Sequence, residues 1–378
     1  MRIYLDHNAG APLRPEAREA MLRFLGRPGN PSSAHREGAR ARGAVEAARA
    51  EVAALIGAGP AEIVFTSGAT EANNLALRGL VRPPAGLVTT AIEHASVLET
   101  ARGLAEDGMR VTIVPVDDEG RVAADDVVAA CAPGTALASV GLANGEVGSV
   151  APVAAIAGGL RGSGVLLHTD AAQAAGRIAI DVRALGADLL SLSAHKLGGP
   201  AGVGALWVRR DVGLRPQMTG GPQERGRRAG SENVAGIVGF GEAARLAGRD
   251  LAVAGARCAR LVDRLWSGLR ARVPGVQLNG PAAPPRLPNT LNLTFPGCSG
   301  DSLVVLLDLA GIAVSAGSAC AAGAAEPSHV LVAMGRDPET ARSGLRLSVG
   351  PATTDAGIDH VLAVLPDLVA QVRRGAAA

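Results

Sequence analysis

The chain has 378 residues, 48% hydrophobic and 2% aromatic, with 37 basic against 35 acidic side chains and a formal net charge of +2. That length supports one large domain and a smaller one, a charge so near balance gives no electrostatic case for direct binding to nucleic acid or a membrane surface, and no apolar run reaches the roughly 20 residues that span a bilayer. Four cysteines (Cys131, Cys258, Cys298 and Cys320) lie far apart with no C-x-x-C pair, which argues against a zinc site or a disulfide framework and fits a reducing cytoplasm.

The opening Met1-Arg2-Ile3-Tyr4-Leu5-Asp6 lacks the apolar run of a signal peptide and reads as a short extended segment. Pro15, at an early helical position, predicts a first helix over 15–25. Gly29-Asn30-Pro31-Ser32-Ser33 is a loop. Arg36 to Ile56, Ala-rich with apolar residues at helical spacing, predicts a long amphipathic helix. Strand-like runs at 62–65, 86–91, 111–116, 136–142, 165–169, 189–193 and 204–208 follow, with helical stretches at 71–80, 96–107 and 125–130 among the earlier ones. That alternation predicts a mostly parallel sheet covered on both faces. Two helices come next, 234–246 and 251–273, then a Pro-rich connection over 281–288. A strand (289–295), a helix (299–309), a small-residue loop (315–326), a strand (344–349) and a last helix (354–373) complete a smaller α+β part, against which the N-terminal segment packs.

Lys196 is the only lysine, beside 36 arginines. A GC-rich coding bias explains the missing lysines but not the one retained. Arginine serves most surface roles of lysine, yet it does not give up its proton near neutral pH to act as an amine nucleophile. Lys196 is therefore a candidate for chemistry. It stands in Ser193-Ala194-His195-Lys196, at the C-terminal end of an apolar strand, the edge where open α/β sheets bind ligands. Asp170, before Ala171-Ala172-Gln173, ends a second strand. Pyridoxal phosphate needs a lysine for its aldehyde and often an acid to keep its pyridine nitrogen protonated. Alone, Asp170 reads equally well as a helix cap; beside Lys196 it fits the cofactor. Thr66-Ser67-Gly68-Ala69-Thr70-Glu71 runs from strand through turn to helix start. The free N–H groups of such a start suit a phosphate, although a plain turn is the commoner use. Ser193 and His195 offer further donors. His94, just past another strand, is either a satisfied structural group or an imidazole that lies over the ring and moves protons.

Further motifs extend this set nearly end to end: Leu5-Asp6-His7-Asn8-Ala9, Asn30-Pro31-Ser32-Ser33-Ala34-His35, Ala143-Asn144-Gly145-Glu146-Val147-Gly148, Gly220-Gly221-Pro222-Gln223-Glu224-Arg225-Gly226, Gly230-Ser231-Glu232-Asn233 and Gly317-Ser318-Ala319-Cys320. On these residues the chain resembles the cysteine desulfurases of the class V aminotransferase group, in particular the nitrogen-fixation and iron–sulfur-cluster branch. The resemblance implies the fold type I architecture of enzymes that use pyridoxal phosphate. A large α/β domain (15–249) would hold a mostly parallel seven-stranded sheet between helices. A smaller α+β domain (1–14 and 250–378) would carry the catalytic cysteine loop.

The resemblance also implies roles. Lys196 would form the Schiff base with pyridoxal 5'-phosphate, Asp170 would pair with the pyridine nitrogen, and His94 would stack on the ring. Asn144 and Gln173 would contact the ring hydroxyl, and Ala69, Thr70, Ser193 and His195 the phosphate. Ser231, where many relatives carry Thr, would reach the phosphate of a neighbouring subunit, implying a homodimer with shared sites. Arg346, in Gly344-Leu345-Arg346-Leu347, falls at the spacing of the substrate-carboxylate clamp, with Asn144 as a second substrate contact. Any one of 36 arginines is easily a surface residue, but this one lies in a largely apolar strand. A bidentate guanidinium suits a carboxylate. One departure is Pro200-Ala201-Gly202, which lacks the lysine that relatives often carry there.

Cys320 is flanked by small residues from Ser315 to Ala324. Such a segment has little side-chain area to bury and is expected to move, whereas a structural cysteine is usually a buried apolar group. A thiol that attacks a substrate and carries sulfur away needs exposure and a thiolate fraction. From the residues alone Cys320 is either catalytic or incidental; the family match over 317–320 and 326–331 makes it the sulfur acceptor. The pattern differs from the Arg-x-Gly-His-x-Cys branch, whose loop is shorter. Cys131, Cys258 and Cys298 match no motif and read as structural. No resident metal is expected, with Cys320 a candidate transient ligand of an iron–sulfur cluster. The sequence thus reads as a cytoplasmic, homodimeric enzyme converting L-cysteine to L-alanine, with Lys196, Cys320 and His94 catalytic. A persulfide on Cys320 would supply an iron–sulfur scaffold protein or a tRNA-thiolation relay. Another class V enzyme, such as a selenocysteine lyase or an aminotransferase, is the first alternative, and an inert assembly partner the second.

Overall fold

Residues 2–317 and 327–376 are described by the computed structural model. From the N-terminus run β1 (Ile3–Tyr4), α1 (Pro15–Leu22), α2 (Arg36–Leu55), β2 (Ile63–Thr66), α3 (Ala69–Leu80), β3 (Gly86–Thr90), α4 (Ala95–Glu106), β4 (Arg110–Val114), α5 (Ala124–Ala130), β5 (Thr135–Ser139), α6 (Val153–Gly159), β6 (Leu166–Asp170), α7 (Val182–Leu185), β7 (Leu189–Ser193) and β8 (Gly204–Val208). The long α8 (Val234–Arg272) leads to β9 (Gln277–Asn279), β10 (Thr290–Thr294), α9 (Gly300–Leu309), β11 (Ile312–Ala313), α10 (His329–Ala333), α11 (Pro338–Arg342), β12 (Gly344–Ser348) and α12 (Asp355–Ala376).

The seven strands β2 to β8 form one sheet in the order β2-β8-β7-β6-β5-β3-β4. It is mostly parallel, as the alternation of elements predicts; β8 alone runs against its neighbours β7 and β2. The link from β7 to β8, residues 194–203, is shorter than the dozen or so residues that a parallel crossover takes. Because β8 opposes both β2 and β7, those two run in the same direction. The carboxyl ends of β2, β3, β5, β6 and β7 therefore share one edge. Successive side chains alternate between faces. Ile63, Phe65, Leu190 and Leu192 pack on the face covered by α2 and the first half of α8, while Val64, Leu87, Leu189 and Leu206 pack beneath α3 and α4.

A second core gathers Ile3 and Leu5, the last third of α8, β10, α9, β12 and α12. Its sheet is antiparallel, in the order β12-β10-β9, and β1 pairs in parallel with β11. Helix α8 serves both cores. The sequence divides it into two helices because its apolar periodicity lapses between Ala247 and Cys258, where the helix crosses from one core to the other and Val253 stands exposed. The backbone continues regardless. Gly248 costs only about 1 kcal/mol against alanine in a helix, too little to break one anchored at both ends. Among the described residues no helix is long and apolar enough to cross a membrane.

One buried ion pair fixes the segment that carries Ser231. Arg49 of α2 (3% exposed) donates to both oxygens of Glu224 (6% exposed), at 2.6 and 2.8 Å. Glu224 also accepts from the Phe65 main chain (2.9 Å). Glu224 and Arg225 both adopt left-handed backbone conformations (φ 46° and 58°), uncommon for residues other than glycine, and the pair holds them there. Removing one charge from a buried pair leaves the other uncompensated, at a cost of about 3–5 kcal/mol. Glu224→Gln is therefore expected to lose stability on that scale in urea unfolding; a loss under about 1 kcal/mol, typical of exposed pairs, would contradict this.

Candidate active site

Lys196 follows β7 on a single 3-10 turn, Ala194–Lys196. Its Nζ donates to the carbonyls of Asn8 and Ala9 at 2.5 and 2.9 Å. Asp170, the last residue of β6, pairs in register with Ser191 of the adjacent β7. Its Oδ1 accepts from the Ala172 main-chain N–H (2.9 Å), which is the cap contact; its Oδ2 accepts from Asn73 Nδ2 (2.7 Å). Asn73 Nδ2 also donates to Ser96 Oγ (2.9 Å), and Ser96 Oγ lies 2.8 Å from His94 Nδ1. A polar chain thus runs from Asp170 through Asn73 and Ser96 to His94.

That chain sets the state of the imidazole. The Ser96 main-chain N–H donates to His94 Nδ1 (3.1 Å). Nδ1 is then the acceptor, and the proton of the neutral ring is assigned to Nε2. Burial lowers the His94 pKa; the nearby Asp170 carboxylate opposes this, while Lys196 and His329 reinforce it. The same couplings show that His94, Asp170 and Lys196 share one neighbourhood. Asn73 had no role in the sequence reading. The available signal was an asparagine on the otherwise apolar face formed by Ala72, Leu75 and Ala76.

The other end of the site is the start of α3. Its N-cap, Gly68, supplies no side-chain cap, so the amides of the first turn, Ala69 and Thr70 among them, retain donor capacity. A methyl group added at Gly68 would meet nothing within 4 Å. Gly204 is the opposite case: a Cβ there would come within 2.6 Å of the Gly68 backbone and 2.5 Å of the Leu192 carbonyl. Only glycine lets β8 pass so close under the turn. Ser193 Oγ lies 2.9 Å from His195 Nδ1. The His195 pKa is pushed down to about 4, by burial first and then by the positive charges of Lys196 and Arg177. Ser231 lines a cavity of about 130 Å³ with Thr66, Ser67 and Val203. An amine, a carboxylate at the next strand end and an uncapped helix start form a donor set that fits the aldehyde, ring nitrogen and phosphate of pyridoxal phosphate.

Arg346, on β12, is 4% exposed, which rules out the surface reading. Its Nη2 pairs with Asp6 Oδ1 at 2.8 Å, and its main chain bonds to Ser315 in both directions (2.7 and 3.2 Å). Asn144 and Gln173 lie nearby, but their amides serve the protein itself. Asn144 donates to the Ile92 carbonyl (2.9 Å) and accepts from the Glu146 and Val147 main chain. Gln173 donates to the Asn8 carbonyl (3.1 Å) and accepts from Arg177. Cys320 lies outside the described residues, between Gly317 and Pro327. Burial raises the thiol pKa of Cys131, Cys258 and Cys298, which disfavours the reactive thiolate.

The chain belongs to the class-V aminotransferase family, whose model matches residues 3–361. It is 48% identical to a cysteine desulfurase of Cereibacter sphaeroides, over 98% of this chain and 97% of the relative. To an IscS-like cysteine desulfurase of Mycobacterium tuberculosis it is 45% identical, over 99% and 98% respectively. Among solved structures, a NifS-like protein superposes with a TM-score of 0.91 at 36% identity, covering 98% of this chain and all of that one. A NifS-like protein from Rickettsia africae gives a TM-score of 0.89 at 30% identity over 97% and 99%. The resemblance to cysteine desulfurases read from the sequence therefore holds, and the class is one of pyridoxal-phosphate-dependent enzymes.

Beneath Asp170, on the same face of β6, His168 is fully buried between Ser139 Oγ (2.8 Å) and Ser191 Oγ (2.9 Å). Burial lowers its pKa from 6.5 to about 4, and Asp170 opposes the shift. The unfolded chain then binds a proton there that the folded chain refuses. The stability gained from this site is complete above about pH 6.5 and declines as the pH falls toward 4. Glu93 acts in the opposite sense between pH 4.5 and 7, since burial raises it to about 7. His168→Gln is accordingly expected to lose less stability than the wild type between pH 7 and pH 5 in urea unfolding. Equal losses would contradict a neutral His168.

Proposed function

We propose that the protein converts L-cysteine to L-alanine and retains the sulfur as a persulfide on Cys320. The observation that carries the proposal is the meeting of Lys196, Asp170, His94 and the uncapped start of α3 at one sheet edge. In this reading residues 15–249 form the cofactor domain, and residues 1–14 with 250–378 the smaller domain. Two copies pair so that Ser231 of each approaches the other's phosphate site.

When bound, pyridoxal phosphate supplies an electron sink for the substrate α-carbon. Lys196 would anchor it, and the Ala69 and Thr70 amides with Ser193 and His195 would hold its phosphate. Asp170, fixed by Asn73 and Ala172, would keep a proton on the ring nitrogen. His94 would lie against the ring, with its own proton on Nε2. Arg346, braced by Asp6, takes the substrate carboxylate through the guanidinium. Lys196 would also carry protons to and from the substrate α-carbon. The Cys320 thiolate attacks the substrate sulfur. A sulfur–sulfur bond forms as the Cβ–S bond breaks, and the electron pair left on Cβ takes a proton to give the methyl group of alanine. The outer sulfur then passes to an acceptor thiol, on an iron–sulfur scaffold or a tRNA-thiolation relay.

Purified protein supplied with pyridoxal phosphate and L-cysteine is expected to release alanine and gain one sulfur on the Cys320 peptide. Lys196→Arg keeps the charge but loses the amine nucleophile, and alanine release is expected to fall by about a hundredfold or more. Cys320→Ser should form no protein persulfide. Full sulfur transfer by Cys320→Ser would overturn the proposed mechanism.

A further inference from the structure

Asn8 is 1% exposed, and its bonds reach both cores. Its main-chain N–H donates to Ser348 Oγ (3.0 Å), and its Nδ2 donates to the Gly145 carbonyl and to Thr290 Oγ1 (2.8 Å each). Its Oδ1 accepts from Asn289 Nδ2 (2.9 Å). Ser348, Thr290 and Asn289 belong to the antiparallel sheet and its entry; Gly145 lies at the edge of the parallel one. The peptide that Asn8 holds in this way presents the Asn8 and Ala9 carbonyls to the Lys196 amine, at 2.5 and 2.9 Å, with the Asn8 carbonyl also accepting from Gln173 Nε2 (3.1 Å). Beyond them Ala11 N–H bonds to the His195 carbonyl (2.8 Å), next to the lysine itself. A pair of carbonyl oxygens can only accept, and hydrogen bonds to a charged donor are stronger than neutral ones. The pair therefore favours the ammonium form over the free amine.

We infer that the Asn8 and Ala9 carbonyls form a second station for the Lys196 amine, occupied as an ammonium when the lysine is not bonded to the cofactor, and that Asn8 is the positioning residue that holds this station in place. The inference rests on the reading of Lys196 as the cofactor's anchor. The station gives the released lysine a defined resting place. It also ties that place to the substrate site, since Asp6, two residues earlier, braces Arg346.

The single lysine makes the test direct, because an amine-directed acetylating reagent has only Lys196 and the N-terminus to modify. The rate at Lys196 is followed by peptide mass spectrometry on the full-length, cofactor-free protein. Asn8→Ala is expected to raise this rate by about tenfold, the equivalent of losing one charge-assisted hydrogen bond. Thr290→Val, which removes one brace of Asn8, should give a smaller rise, and it decides the matter if Asn8→Ala does not fold. Leu265→Ala, in the second core away from Lys196, should lower Tm and leave the labelling rate unchanged. The inference is overturned if Asn8→Ala and Thr290→Val both label at the wild-type rate, or if Leu265→Ala accelerates labelling as much as they do. Wild-type protein that develops no absorption band on addition of pyridoxal phosphate would instead overturn the reading of Lys196, leaving the labelling comparison to stand or fall alone.

Discussion

The site depends on one wedge of peptide, residues 6–9, seated between two hydrophobic cores. Asn8 bonds across the junction to Gly145 on one side and to Ser348, Thr290 and Asn289 on the other. Asp6 on the same wedge meets Arg346, and the Asn8 and Ala9 carbonyls meet Lys196. A buried polar group without a partner costs about 1–3 kcal/mol, so a wedge with this many buried donors and acceptors has little freedom to shift. The lysine and the arginine, which come from different sheets, are thereby held relative to one another.

The electrostatics of the site follow from what burial tolerates. Its histidines are driven toward neutrality: His7, His168 and His195 to pKa values of about 4, and His94 downward. Positive charge sits on groups with acceptors arranged for it: Lys196 at its carbonyls, Arg346 at Asp6, and Arg177 at the Gln173 and His7 carbonyls. Asp170 is held by an amide donor on each oxygen. A His94 driven toward neutrality beside Asp170 suits the proposed site, which would hold a protonated ring nitrogen without a second cation beside it.

Much of this was legible in the sequence because it is local. Lys196 and Asp170 end apolar strands, and parallel strands bring their carboxyl ends together as a rule of the fold. What the sequence hid was pairing between distant residues. Asp6 and Arg346 are 340 positions apart, Asn73 and Asp170 are 97 apart, and nothing in either residue's neighbours announces its partner. Asn144 and Gln173 illustrate the reverse limit: the motif put them at the site, but not the main-chain groups their amides serve. Short elements escaped too. A two-residue strand such as β11, or a helix of five residues such as α10, is too brief to show a period. The continuity of α8 was hidden because periodicity reports burial, and the middle of that helix is not buried.

Two residues carry the chemistry. Cys320 gives the reading its sulfur, and Lys196 gives it its cofactor. The most direct test of the cofactor assignment is borohydride reduction of the protein loaded with pyridoxal phosphate, followed by peptide mapping. The account predicts that the reduced cofactor is found on the peptide containing Lys196. Its recovery on the N-terminal amine alone, or on no peptide, would contradict it.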